Sequence, residues 1–364
     1  MSNRLAPLHI GDVTVPVPII QGGMGVRVST ASLASAVANC GGAGTIASVG
    51  LGSKAGEAEE DFIRSSREGL EHEIREARSK TNGVIGVNIL AALSNFEDLA
   101  RTASREGVDY IISGAGLPLR LPEFAEGSPA KLIPIVSSAR VAQILIKSWE
   151  KRYNRIPDAF VVEGPLAGGH LGFSLDEIMS KQENALEHIV ADVLKIVREH
   201  EQRCNVAIPV IAAGGIFDGS DIARFLKLGA QGVQMGTRFV ATDECSVPDS
   251  FKQKYLNARD EDIVLIKSPV GLPGRAIRTQ FIDKLIQERG EKIMCAYQCL
   301  KTCDMNTAPY CIANLLLNAV DEHLTEDAII FASRNVSRIK EIIPVKKLMD
   351  SLVRQTVACL RKVA

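Results

Sequence analysis

Residues 161–173 read VVEGPLAGGHLGF, and the histidine of that run, His170, stands directly behind Gly168 and Gly169. Imidazole takes or gives a proton near neutral pH, so it suits general acid–base work. Two bare glycines before it either close a turn around a packed loop histidine or let a ligand come close to the ring. Glu163 ends the apolar run just upstream. A second group with chemical potential lies further on: Cys295, Cys299, Cys303 and Cys311 in MCAYQCLKTCDMNTAPYC. On a helix the first three would share one face, residues 306–309 would break it, and Cys311 could fold back beside them. Four thiolates can hold Zn²⁺ or a [4Fe–4S] cluster. The C-x3-C-x3-C-x7-C spacing is neither a paired-CxxC zinc pattern nor the usual ferredoxin run. Reduced cysteine serving as a small core residue is the plain alternative.

Such groups need a scaffold, and the composition allows a large one. The chain has 364 residues, 46% of them apolar, with a net charge of −1. No basic excess points to nucleic acid or a membrane surface. The start, MSNRLAPLHIGDV, lacks a signal-peptide core, and no apolar stretch is long enough to span a bilayer. The expectation is a soluble cytoplasmic protein. Four of the eight cysteines are scattered, and the other four form the cluster. In a cytoplasmic chain a cluster suggests metal or redox chemistry before disulfides.

Eight short, nearly all-apolar runs read as strands buried on both faces: residues 18–21, 44–47, 84–88, 110–113, 132–136, 159–162, 209–212 and 232–235. Helical patterns lie between them at 30–39, 57–80, 95–106, 139–153, 185–202 and 219–228, with a weaker one at 119–126. Eight strands alternating with helices predict an α/β fold, a (β/α)8 TIM barrel, over 1–244; a doubly wound open sheet is the alternative. Residues 245–330 read as an added helical lid that carries the cysteines. Residues 331–364 read as a strand-like segment and a helix packing back on the barrel.

In such a barrel the active site lies beyond the C-terminal strand ends. There the chain places GGMG (22–25), Asn88, SGAGLP (113–118), EGPLAGGH, AAGGIFDGSD and GTRF. Gly214-Gly215 and Gly236-Thr237 follow the seventh and eighth strands, a frequent phosphate site in this fold, where backbone N–H groups make an anion cradle. Asp218 and Asp221 read as caps of the seventh helix. SGAGLP is not a dinucleotide fingerprint, since Pro118 stands where a helix should begin. Trp149 reads as packing outside the barrel, and His188, His200 and His323 as surface residues on helices.

The linked motifs IIQGGMG, GVNIL, SGAGLP, EGPLAGGH, PVIAAGGI and GVQMGTRF resemble the nitronate monooxygenase (2-nitropropane dioxygenase) and FMN-dependent enoyl-acyl-carrier-protein reductase II superfamily over most of the first 280 residues. The resemblance implies an FMN-dependent oxidoreductase. Gly23 and Met24 would lie against the flavin ring, Asn88 would hydrogen-bond it, and Glu163, Gly168 and Gly169 would line its ribityl side. Gly214, Gly215, Gly236 and Thr237 would hold the phosphate, and His170 would be the acid or base facing the flavin.

One departure is Leu166, where members often carry a second acidic residue (EGxEAGGH). Two chemistries follow from the resemblance. In the first, a nitronate gives electrons to FMN and reduced flavin meets O₂. His170 would then stabilise the anion as a cation or deprotonate the neutral nitroalkane. In the second, NAD(P)H reduces an enoyl-thioester through the flavin and His170 supplies the proton. Arg275 and Arg278 could bind a phosphopantetheine phosphate there, although solvated surface charge is the commoner use of arginine. A flavin or iron–sulfur electron carrier or sensor is the reading from another class. The partners expected are a small nitronate or enoyl-thioester substrate, with neither nucleic acid nor membrane. A homodimer is left open.

Overall fold

The computed structural model describes residues 5–52, 59–180, 185–287, 295, 298–321 and 323–362. Eight parallel strands close into a barrel: Ile19–Gln21, Ala43–Ala47, Val84–Leu90, Tyr110–Gly114, Lys131–Val136, Phe160–Glu163, Val210–Ala213 and Gly232–Met235. Each pairs with its neighbours in sequence, and the eighth closes on the first with Val233 opposite Ile19. The eight runs read from sequence are these strands, to within a residue or two at their ends, and the open-sheet alternative is set aside.

Alternation along each strand sorts its side chains between two layers. Ile20, Ile112, Val161 and Ile211 belong to the interior cluster, whereas Ile19, Ile111, Val162 and Ala212 belong to the cluster under the helices. Tyr110 fills the interior from the fourth strand, its hydroxyl 2.7 Å from Thr45 Oγ1 and 2.9 Å from the Gly44 carbonyl. The third strand makes room for it with Gly86, where an added Cβ would stand 2.2 Å from the Tyr110 ring.

The helices sit where the 3.6-residue pattern puts them, with Ala139–Tyr153 and Gly219–Leu228 among them. The weak pattern at 119–126 yields one short helix, Leu121–Phe124. Trp149 is fully buried outside the barrel, and its indole N–H donates to the Pro118 carbonyl at 3.2 Å. His188 and His323 are exposed, but His200 is not. It is buried, its nearest polar neighbour is the Arg203 guanidinium, and burial holds its pKa below the usual histidine range.

Two features lie outside the sequence reading. An antiparallel hairpin, Leu8–Ile10 with Val13–Val15, plugs the barrel at the N-terminal ends of its strands, adding Leu8, Ile10 and Val15 to the interior cluster. After the barrel come the helices Asp249–Asn257, Gln280–Gln287 and Ile312–Ala319, but also the strands Ile263–Lys267 and Pro273–Ile277. The latter strand pairs with Ile330–Phe331 and with Gly169–His170. The appendage is therefore a mixed sheet-and-helix cover, stitched to the loop that carries His170. The last helix, Val345–Arg361, packs against Gly219–Leu228 and Ala31–Asn39.

The cysteine segment departs from expectation. Among the described residues, 298–311 contains turns and one bridge, Leu93 with Leu300, and no helix. Among the described residues Cys299 and Cys303 therefore share no helical face, and the stretch that would carry the helix through Cys295 lies partly outside them. Backbone bonds of Cys299 and Lys301 to Ser94 and Ala92 satisfy this stretch instead.

Candidate functional site

One cavity of about 230 Å³ opens at the C-terminal ends of the strands, far more than one water's share of about 30 Å³. Its wall includes Gly23 and Met24 after the first strand, Asn88 from the third, and Glu163, Gly168, Gly169 and His170 from the sixth strand and its loop. Gly214, Gly215, Gly236 and Thr237 from the last two loops complete it. All the cofactor and catalytic positions read from the sequence thus meet around one space.

Glycine has a steric reason at this rim. At Gly23 a Cβ would stand 2.3 Å from Asn88 Cβ, so a side chain there would displace the Asn88 amide from the wall. Gly214 and Gly215 adopt φ of 91° and 85°, the left-handed region where other residues are strained. The seventh helix does not spend its N-terminus on a ligand. Asp218 Oδ1 accepts from the N–H groups of Ser220 and Asp221, and Asp221 accepts from Phe217 and Asp218. That reciprocal capping box satisfies the helix start. An anion here must rely on the glycine turns and on Thr237. Thr237 Oγ1 accepts from the Ser333 N–H at 2.9 Å and keeps its own proton to donate.

His170 is held from three sides. Its backbone lies opposite Gly274 in the antiparallel pairing, its ring meets Phe331 edge-on at 5.0 Å, and Nε2 is 2.8 Å from Ser268 Oγ. Burial lowers its pKa to about 4, so the neutral imidazole is the resting form. The same cause raises Glu163 to about 7. The cationic His170 entertained from sequence is disfavoured, and the neutral base is retained.

Sequence reasoning missed several contributors. Gln234, from the eighth strand, lies in the cavity wall, and its Oε1 is buried without a partner among the described residues. Its inward position follows from strand alternation once the strand is placed. Tyr255 and Phe331 reach the cavity from after the barrel, and Ser268 reaches His170 from there. No local motif marks them.

Arg275 is not a free phosphate ligand. It is buried, and its Nη1 donates to the carbonyls of Pro165 and Ala167 at 2.5 and 2.6 Å, bracing the EGPLAGG loop. Arg278 pairs with Asp283 at 3.2 Å. Leu166 is 45% exposed and lies in an outer groove behind Gly215, not in the His170 cavity. Its lack of charge therefore does not alter the ground beside His170.

The molecule is a closed (β/α)8 barrel with its cavity at the C-terminal rim of the strands, where enzymes of this fold carry their active sites. The chain belongs to the nitronate monooxygenase family, whose model matches residues 7–355. It is 32% identical over 268 residues to (3aS,4S,5R,7aS)-5-hydroxy-7a-methyl-1-oxo-octahydro-1H-indene-4-carboxyl-CoA dehydrogenase of Mycobacterium tuberculosis (strain ATCC 25618 / H37Rv), covering 74% of this chain and 65% of that one. The match thus spans less than two thirds of that relative's length. A probable nitronate monooxygenase of Staphylococcus aureus (strain Newman) is 29% identical, covering 79% of this chain and 82% of that one. Among solved structures, FabK from Thermotoga maritima superposes with a TM-score of 0.74 at 30% identity, covering 95% and 94% of the two chains. A nitroalkane oxidase from Streptomyces ansochromogenes shares the fold at 20% identity, with a TM-score of 0.73 over 96% and 98%.

Proposed function

We propose that the chain is an FMN-dependent oxidoreductase of nitronate monooxygenase type, with His170 as the base beside the flavin. The observation that carries this reading is the convergence of Asn88, Glu163, His170 and the paired glycines on one cavity. The wall fits FMN on independent grounds. Gln234 Oε1 is a buried acceptor that lacks a donor until a ligand supplies one. Gly214 and Gly215 present backbone rather than side chains, and the Thr237 hydroxyl has a proton to give a phosphate oxygen. Gly23 and Met24 would flank the ring, Gly168 and Gly169 its side chain, and Gly236 with Thr237 the phosphate.

FMN, when bound, supplies the two-electron acceptor. This chain's residues handle protons and placement. With Nε2–H donating to Ser268 Oγ, Nδ1 keeps the lone pair that takes a proton from the carbon next to a nitro group. The Phe331 edge contact and the Gly274 pairing fix the ring, so little motion is needed before transfer. Glu163, its pKa raised to about 7 by burial, is largely protonated on the acid side of neutrality, and there it adds no full negative charge to oppose an anionic substrate.

A second reading is NAD(P)H-dependent reduction of an enoyl-thioester. A smaller, apolar cavity next to His170 favours it; Val26, Leu93, Val270, Leu300, Ile312 and Leu316 are among its walls, and such a lining suits an acyl chain. Anaerobic protein mixed separately with NADH, NADPH and a nitronate separates the two by bleaching of the flavin absorbance. Bleaching by nitronate alone supports the monooxygenase. Bleaching by NAD(P)H alone replaces it with the reductase. A colourless protein that cannot be loaded with FMN overturns both.

A further inference from the structure

Among the described residues no three metal-binding side chains stand together to hold a metal, and Cys295, Cys299, Cys303 and Cys311 are free thiols. What their segment does build is a wall of the small apolar cavity beside His170. That cavity measures about 50 Å³. At about 10–15 Å³ for each water-sized group, it has room for about three to five carbon atoms. Among the described residues its wall is hydrocarbon or glycine except for His170 and the Cys299 thiol.

His170, Val26, Val49, Leu90 and Leu316 line both this cavity and the larger rim cavity, so the two adjoin at the imidazole. Asn88, Glu163, Gln234 and Thr237 line the rim cavity alone. A flavin and the polar head of a substrate thus find their partners on one side of His170, and hydrocarbon finds its own on the other. A polar group in the small cavity would give up its water with no hydrogen bond in return, whereas each methylene there gains by leaving water.

The far wall is tied in place. Leu93 and Leu300 meet in an antiparallel bridge. Beside it the Ser94 N–H donates to the Cys299 carbonyl at 3.0 Å, and the Lys301 N–H donates to the Ala92 carbonyl at 2.9 Å. Ile312 and Ala313 enter the wall from the first turn of the helix Ile312–Ala319. Leu93, Leu300 and Ile312 are buried. A longer chain could displace this wall only by breaking backbone bonds to the third strand's loop.

We propose that the small cavity receives an unbranched alkyl tail of about three to five carbons, carried by the carbon at which His170 works, and that Leu93, Leu300 and Ala313 set its length. The proposal rests on His170 as the acid or base. The tail chemistry is the same whether it belongs to a nitroalkane or to an enoyl-thioester.

Two measurements on the full, FMN-loaded chain test it. The first is calorimetric titration with straight-chain carboxylates from acetate to decanoate, unreactive probes with an anionic head and an alkyl tail. Affinity should rise about fourfold with each added methylene and stop rising once the tail has about five carbons. Affinity flat in chain length, or climbing unbroken to decanoate, overturns the proposal. The second is kcat/KM along a series of 1-nitroalkanes, and along a series of straight-chain enoyl-thioesters with NAD(P)H. The same break is expected in whichever series turns over. Leu300→Ala should move the break about two carbons longer, because truncating a buried leucine leaves a cavity. Ala313→Leu should move it shorter, and FMN content reports the folding of both. Breaks that stay put in both variants overturn the assignment of the wall, and Leu93→Ala replaces a variant that does not hold FMN. Turnover of nitroalkanes with no dependence on length sinks the tail cavity and leaves the nitronate reading. Length-dependent carboxylate binding with turnover of thioesters alone sinks the nitronate reading and leaves the tail cavity.

Discussion

Burial pushes His170 and Glu163 in opposite directions, because it penalises whichever form carries charge. The histidine is held near 4 and the carboxyl near 7, so both are largely neutral between those values. The two signs give different pH behaviour. Glu163 has a folded pKa above its ordinary 4.5, so its share of stability is full below 4.5 and is lost as pH rises through about 7. Glu163→Gln removes that loss. Its melting temperature should exceed that of the native protein by about 2 °C at pH 8 and match it at pH 4. An equal difference at both pH values would sink the assignment. His170 has a folded pKa below its ordinary 6.5, so its share of stability is lost as pH falls from 6.5 through about 4. As a base it should remain active down to that lower value. His170→Gln should lower kcat by about 10²–10⁴-fold with flavin content unchanged. Full turnover by that variant on a neutral nitroalkane would remove His170 from the chemistry. The identities of these two residues, and their shared rim, were legible in the sequence. Their protonation states were not, because desolvation comes from neighbours such as Phe331, distant in the chain.

The strand Pro273–Ile277 does more positional work than any other element after the barrel. One edge pairs with Ile263–Lys267; the other takes Gly169–His170 and Ile330–Phe331. Its Arg275 guanidinium is buried against the Pro165 and Ala167 carbonyls, at the cost of a pKa lowered to about 10. Removing it leaves two carbonyls without a donor, and such losses cost about 1–3 kcal/mol each. Arg275→Met should therefore lower the melting temperature by several degrees and weaken FMN retention, because the 165–169 loop loses its brace. Arg275→Lys should recover only part, since an ammonium cannot reproduce the guanidinium fork. Thermal melts and flavin titration of both variants check this; an unchanged Arg275→Met protein would return the residue to surface charge. The barrel elements were readable because each strand is an apolar run of the right length between helical patterns. This strand was not. IVLIK and PGRAI are short, their helix or strand state is undecided by periodicity, and their partners lie up to about a hundred residues away. The cysteine segment misled for a related reason, since a regular i, i+4 spacing says nothing of the tertiary bonds that hold Cys299 and Lys301 to the third barrel strand's loop.

At the scale of the whole molecule, chemistry and closure occupy opposite ends of one barrel. The rim cavity opens beyond the C-terminal strand ends, and the 8–15 hairpin seals the N-terminal end with Leu8, Ile10 and Val15. Between them Tyr110 and the inward isoleucines fill the interior, so the barrel is a packed support rather than a pore. The plug is secured at its tip by Asp12, whose carboxylate pairs with Lys131 at the start of the fifth strand at 2.5 Å. That pair is solvent-facing on the Asp12 side and adds little; the buried apolar side chains carry the closure. Leu8→Ala and Ile10→Ala should each destabilise the protein by about 2–5 kcal/mol, the range for a fully buried aliphatic truncated in place. Because the plug makes no contact with the rim cavity, KM and kcat measured well below the melting temperature should stay within about twofold of the native values, as additivity between distant sites requires. Paired melts and steady-state kinetics on the two variants decide it. Loss of turnover in step with loss of stability, at a temperature where the fold is intact by circular dichroism, would mean that the barrel transmits strain from one end to the other, and the two ends could no longer be treated as separate.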